Sequence, residues 1–244
     1  MLFKREVDGK VDGTCNLYSD HLINGSRMLN VFISLMFKAM FSHGVVPRNL
    51  LESKIIPIPK NKKKSLSDIN NHRGIALSSI IGKILDKVLI SVHREVLSTG
   101  DMQFGFKKGH STTQCTFTVE EVIKYYNNQS SSVYTMMLDA SQAFDRINYV
   151  QLFNTLLARG MCPMTVRLLV FVYCNQNVMV RWGNSTSSQF SVSNGVKQGG
   201  VLSPILFTIY IDNLFSDLKS KGLGCHVGNI FTGAFGYADD IILL

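Results

Sequence analysis

Two adjacent carboxylates, Asp239 and Asp240, stand in Tyr237-Ala238-Asp239-Asp240 between the apolar runs 233–236 and 241–244. The pattern predicts a buried hairpin with both acids in its bend. Acids in such a place are costly, because each disfavours ionisation of the other and burial disfavours the charge on both, unless a divalent cation or solvent compensates. A third acid, Asp139, ends the β-rich run 132–138. If that strand lies beside the hairpin, Asp139 and Asp239 can jointly bind two Mg²⁺ ions, with Asp240 as helper or partial ligand. Such ions serve nucleotidyl transfer by activating a primer 3′-hydroxyl and stabilising charge on the leaving pyrophosphate. Two acids in a bend also occur simply as a solvated turn, so the rest of the chain must decide.

Between the acids lies Gly195-Val196-Lys197-Gln198-Gly199-Gly200-Val201-Leu202-Ser203-Pro204, a loop running into a helix. Its glycines allow backbone to approach a ligand closely, and Gln198 can hydrogen-bond a nucleotide or template.

The elements that must hold these groups are readable from periodicity. Apolar residues at helical spacing predict a helix over 27–43, stopped by Gly44 and Pro47, and further helical patterns over 78–97, 149–159 and 164–174. A strand is expected over 53–57, and a polar loop opens at Lys60, Lys62, Lys63 and Lys64. The stretch 103–110 reads as a loop, with Ser111 capping a helix that continues through Tyr126. A hairpin is expected from strands 178–182 and 189–192 around Gly183-Asn184-Ser185, and Pro204 opens an amphipathic helix ending near Lys221-Gly222.

Bulk properties narrow the class. The 244 residues, 45% hydrophobic, suffice for a sizeable core in one large unit or two packed subdomains. The net charge of +8 suits a polyanionic partner. Five scattered cysteines without a Cys-x-x-Cys pair argue against a zinc knuckle or disulfide framework and fit a reducing intracellular setting. The six histidines show no metal-ligand spacing. The amino terminus lacks an apolar signal core, and the run 29–41 is too short for a membrane span, so no membrane role is expected.

In order along the chain, Asp139 with Phe144-Asp145, then 195–204, then Tyr237 to Asp240, resemble the successive palm motifs of reverse transcriptases, most closely those of non-LTR (LINE-type) retrotransposons. Upstream, Ile55-Ile56-Pro57-Ile58-Pro59-Lys60, His72 to Leu77 with Ile81 to Leu85, and Gln103-Phe104-Gly105-Phe106-Lys107-Lys108-Gly109-His110-Ser111-Thr112 are similar to that family's fingers motifs. The resemblance covers roughly residues 20–244. It implies an α/β (α+β) right-hand polymerase fold with helix-rich fingers over 25–130 and an antiparallel-sheet palm over 131–244, the 178–192 hairpin decorating the palm. A poorly ordered leading segment is expected over 1–24.

The resemblance further implies RNA-directed DNA synthesis from dNTPs on an RNA template and a DNA primer, with two Mg²⁺ ions, Mn²⁺ being able to substitute. It assigns catalysis and metal binding to Asp139, Asp239 and Asp240, with the Ala140 carbonyl as an extra ligand. Lys60 and Arg73 match positions that contact the incoming triphosphate, for which long cationic side chains are suited. Phe144 matches an aromatic gate against the ribose 2′-hydroxyl, and Gln198 with Gly199 the nucleotide pocket. Tyr237 matches a place near the primer end, and Lys107 and Lys108 are assigned to primer and template. Plainer roles stand beside these: core packing for Phe144, helix capping or an ion pair for Asp145, and a solvated loop for Lys62 to Lys64.

Gln142 and His110 depart from the family pattern, where Lys and Arg are frequent. The sequence ends at Leu244, directly after the hairpin motif, so the family's thumb is expected to be absent from it. Two rival readings remain open: a fragment that folds and binds RNA without catalysis, and an RNA-dependent RNA polymerase.

Overall fold

The computed structural model describes residues 17–140 and 142–244. The expected leading segment falls outside that range up to residue 16. The helix expected over 27–43 forms with those bounds as α2, after a short α1 (Ser19–Ile23). Ile33, Phe37 and Met40, spaced four and three apart, are its buried face. A one-turn α3 (Arg48–Leu51) leads into β1 (Glu52–Pro59), longer than the strand expected from sequence. Its partner β2 (His72–Ser78) pairs with it antiparallel over seven positions, from Ser53↔Ser78 to Pro59↔His72. The lysine-rich loop between them is held by buried Asn71, whose amide donates to the carbonyls of Asn61 (2.9 Å) and Ser65 (3.2 Å) and accepts from Asn61 N–H (3.1 Å).

Helix α4 (Ile80–Val92) is shorter than the expected 78–97. Its end coincides with a tie across the unit, where the His93 ring bonds the Thr165 hydroxyl at 3.0 Å. Next come α5 (Thr112–Asn128), β3 (Met136–Asp139), α6 (Tyr149–Ala158) and α7 (Pro163–Cys174). Ser111 caps α5 as expected, in a reciprocal box with Gln114. The strand expected over 132–138 forms at Met136–Asp139, with all four residues paired to one partner strand.

The expected hairpin is β4 (Asn177–Trp182) with β5 (Ser185–Thr186) and β6 (Phe190–Ser191). Strand β4 also runs parallel beside β1, from Glu52↔Asn177 to Ile55↔Val180, in a five-stranded sheet of order β2-β1-β4-β5 with β6 on β4. Helix α8 (Ser203–Ser220), the small pair β7 (His226–Val227) and β8 (Ile230–Phe231), and the hairpin β9 (Ala234–Tyr237) and β10 (Asp240–Leu243) complete the chain. No described helix is long and apolar enough to cross a membrane.

The chain forms two compact units, each built from two separated segments. The first takes the chain up to Val96 and Asn148–Ser203; the second takes Leu97–Ile147 and Pro204–Leu244. In the second, the antiparallel sheet β3-β10-β9 has apolar packing on both faces. Phe235 and Ile242 pack with Cys115 and Val122 of α5, while Ala234, Ile241 and Leu243 pack with Ile211, Phe215 and Leu218 of α8. That division follows strand alternation, so the register of β10 decides which face each acid shares.

Candidate active site

Strands β9 and β10 are joined by Ala238 and Asp239 alone, with Tyr237 opposite Asp240. Two-residue hairpin loops demand positive φ, and Ala238 supplies it at +59° while Asp239 does not. Glycine is favoured at such a first position, and a Cβ there costs about 1–2 kcal/mol. On the other side of β10, Asp240 lies directly opposite Asp139. Opposed residues of an antiparallel pair project from one face, so Asp139, Asp240 and Tyr237 share a face at the turn end of the sheet. Asp139 and Asp240 are exposed and Asp239 is half-buried.

Like charges opposed across strands are unfavourable, and a divalent cation reverses that sign. Among the described residues, no three His, Cys, Asp or Glu groups gather into a metal-holding cluster. The donor chemistry nonetheless fits Mg²⁺, which takes hard oxygen ligands and is usually held by one or two carboxylates completed by substrate phosphates and water. The Ala140 carbonyl already accepts the Ala143 N–H at 3.2 Å. A carbonyl oxygen has a second lone pair for another partner.

The loop 103–110 packs against this turn. Gln103 is fully buried, and its amide takes both backbone groups of Ala238: Oε1 accepts the Ala238 N–H at 3.1 Å, and Nε2 donates to the Ala238 carbonyl at 3.3 Å. The same Oε1 accepts the Gly105 N–H at 2.8 Å. Backbone bonds from Phe104 N–H to Gly236 O (2.7 Å) and from Gly236 N–H to Met102 O (2.8 Å) complete the attachment. Gly105 is needed for space, since a Cβ there would lie 2.1 Å from the Ala238 nitrogen.

Phe144 stacks on buried Phe207, with centroids 4.8 Å apart and planes at 13°, and meets Phe106 edge-on at 6.1 Å. Its ring is therefore fixed on two sides. Lys107 donates to the Gly100 carbonyl, and burial lowers its ammonium pKa against the opposing pull of Asp101 and Asp212. Its charge thus has partners within the unit, whereas Lys108 is exposed. Burial also raises the Asp145 carboxyl above its ordinary range.

The remaining candidates stand in the first unit. Arg73 is opposite Ile58, and the ladder runs one step further, with Lys60 N–H donating to Asn71 O at 2.6 Å. Alternation therefore puts exposed Lys60 and Arg73 on one face at the end of the hairpin. The Gln198 carbonyl accepts the Ala76 N–H at 2.7 Å, pinning the loop to β2. Gly199 follows at φ +99°, where an added Cβ would meet the Ala76 carbonyl oxygen at 3.1 Å. Both its conformation and its closeness to β2 call for glycine.

Beneath this loop sits a group absent from the sequence reading, Asp86 on α4. Its carboxylate accepts the Leu202 N–H at 3.3 Å. Burial raises it to about 6, opposed by the N–H groups of Leu202 and Val201 and by Lys197 and Lys83. Tyr173, bonded to Ser203, is raised by burial first and by Asp86 second. Native Asp86 therefore keeps a proton that the unfolded chain releases near pH 4. Stability from this group is fullest below about pH 4, falls by on the order of 3 kcal/mol up to about pH 6, and is flat above. Asp86→Asn keeps an oxygen acceptor and is expected to abolish that fall, measured as urea midpoints from pH 4 to 7. Parallel curves for parent and variant would refute the assignment.

The structure thus gathers Asp139, Ala140, Asp239, Asp240, Tyr237, Phe144, Lys107 and Lys108 in the second unit, and Lys60, Arg73, Gln198 and Gly199 in the first. Sequence reading placed Gln103 in a motif without assigning it a role, and passed over Asp86. A polar residue among apolar ones at a helix-buried spacing was the one sign that Asp86 carried.

Residues 58–244 match the family model described as reverse transcriptase (RNA-dependent DNA polymerase). The chain is 28% identical over 200 residues to the retrovirus-related Pol polyprotein from type-2 retrotransposable element R2DM of Drosophila melanogaster, covering 82% of this chain and 19% of the relative. It is 27% identical over 192 residues to the RNA-directed DNA polymerase from mobile element jockey of the same organism, covering 75% of this chain and 20% of that one. The chain therefore spans about a fifth of either relative. In fold it resembles a telomerase from Candida albicans solved with a TWJ fragment of telomeric RNA, with a TM-score of 0.51 at 12% identity over 88% of this chain and 42% of that one.

Proposed function

The chain belongs to the reverse transcriptase (RNA-dependent DNA polymerase) family, and from that membership we propose that it extends a DNA primer on an RNA template, using dNTPs and two divalent metal ions. The observation that carries this reading is the direct opposition of Asp139 and Asp240 beside a tight turn bearing Asp239. Ions held there would activate the primer 3′-hydroxyl and offset charge on the leaving pyrophosphate. Asp139 and Asp240 supply hard oxygen donors from one face, with Asp239 alongside and Tyr237 flanking the primer end. In the first unit, Lys60 and Arg73 are exposed cations suited to a triphosphate, and Gln198 and Gly199, on a loop pinned to β2, are suited to a nucleotide. The net charge of +8 supplies general affinity for RNA and DNA, which weakens with salt.

Phe144 decides the sugar. A ring held between Phe207 and Phe106 cannot swing away from a ribose 2′-hydroxyl. The parent is therefore expected to prefer dNTPs, and Phe144→Ala to lower that preference by about 10–100-fold, measured as relative incorporation of dNTPs and rNTPs in primer extension. Equal use of both sugars by the parent would remove the gate and favour an RNA polymerase.

A further inference from the structure

We infer that Gln103 is the positioning residue of the metal site, holding the acid-bearing turn in a backbone conformation that Ala238 would not keep unaided. The inference rests on the reading of the acids as metal ligands. Ala238 immediately precedes Asp239 and adopts φ +59° with a side chain in place. Both of its backbone polar groups are buried against one amide, which donates to its carbonyl and accepts its N–H. The donor and acceptor of a single glutamine match the two groups of a single peptide residue, and no other uncharged side chain but asparagine carries both on one planar amide. Gln103 is itself locked, because its oxygen also takes the Gly105 N–H and its side chain is wholly inaccessible to solvent.

The consequence reaches the acids through the turn. If Ala238 relaxes to negative φ, the two-residue connection no longer fits the pairing of Tyr237 with Asp240. Asp240 then loses its register opposite Asp139, and Asp239 its place on the turn. A buried amide 135 residues away in sequence thus sets the separation of the carboxylates. The interaction is with backbone, so the identity of residue 238 determines how much the clamp is needed. Glycine at that position adopts positive φ at no steric cost and should make the clamp dispensable.

The test is Mn²⁺ binding to the 244-residue chain, followed by the loss of the free-ion electron paramagnetic resonance spectrum, with far-ultraviolet circular dichroism as the check on folding. Gln103→Met, similar in size but without donor or acceptor, is expected to weaken binding by about tenfold or more. Gln103→Glu keeps the acceptor for the two N–H groups and is expected to fall between parent and Gln103→Met. Ala238→Gly added to Gln103→Met is expected to restore affinity to within about threefold of the parent. Parental affinity in Gln103→Met would overturn the inference. So would a loss that Ala238→Gly does not restore. Should the parent bind no Mn²⁺, or bind it equally after Asp139→Asn, the reading of the acids falls instead, and the two failures are thereby told apart.

Discussion

Asp139→Asn is expected to reduce DNA-primer extension on an RNA template by about 10³-fold, the effect of several kcal/mol of lost charge stabilisation. The variant removes one of two opposed carboxylates and leaves an amide of the same shape. Asp139 is exposed at the end of edge strand β3, so no buried packing is lost. The like-charge opposition with Asp240 also disappears. Thermal stability without metal is therefore expected to hold or rise slightly. Mg²⁺ should raise the melting temperature of the parent, because it binds the folded state, and should do so far less in the variant. RNA affinity arises from cations elsewhere and should stay within a few-fold. Extension within tenfold of the parent would remove Asp139 from the metal site, and a collapse of the fold would show that it is structural.

Gly105→Ala is the second large effect. The added Cβ would stand 2.1 Å from the Ala238 nitrogen, 2.7 Å from its Cα and 3.0 Å from the Tyr237 carbonyl carbon. All three are backbone atoms of the acid-bearing hairpin, so no side chain can rotate to make room. Either the loop or the turn must shift. Overpacking of this kind costs about 1–3 kcal/mol of stability, and misplacement of catalytic groups by about 1 Å costs about 10²-fold in rate. Primer extension at least about 10²-fold below the parent, with a lowered melting temperature, is the expected result. Parental activity and stability in Gly105→Ala would mean that the loop does not press on the hairpin as described.

Much of this arrangement was legible beforehand where it rests on local pattern. The spacing of Ile33, Phe37 and Met40 marks α2, Ser111 marks the start of α5, and the two apolar runs around Asp239 and Asp240 mark the hairpin, although Asp240 opens β10 instead of sharing the bend. The partnership of Asp139 with that hairpin needed the condition that its strand lie alongside, which β3 meets. Long-range pairings were not legible. Nothing in the residues of β1 announces that β4, more than a hundred residues later, runs parallel beside it, because alternation reports which face is buried and not which strand is the neighbour. Gln103 and Asp86 escaped notice for the same reason. Such a polar group reveals its role only through its partners, and those are Ala238 and Leu202. The family resemblance supplied the order of the motifs but not these supports.

The most direct measurement is extension of a labelled DNA primer on an RNA template with dNTPs and Mg²⁺, comparing the chain with its Asp239→Asn variant. Extension by the parent that vanishes in Asp239→Asn, while both fold and bind RNA alike, is the predicted result. Equal extension by parent and variant, or none by the folded, RNA-bound parent, would contradict the assignment of these carboxylates to RNA-templated DNA synthesis.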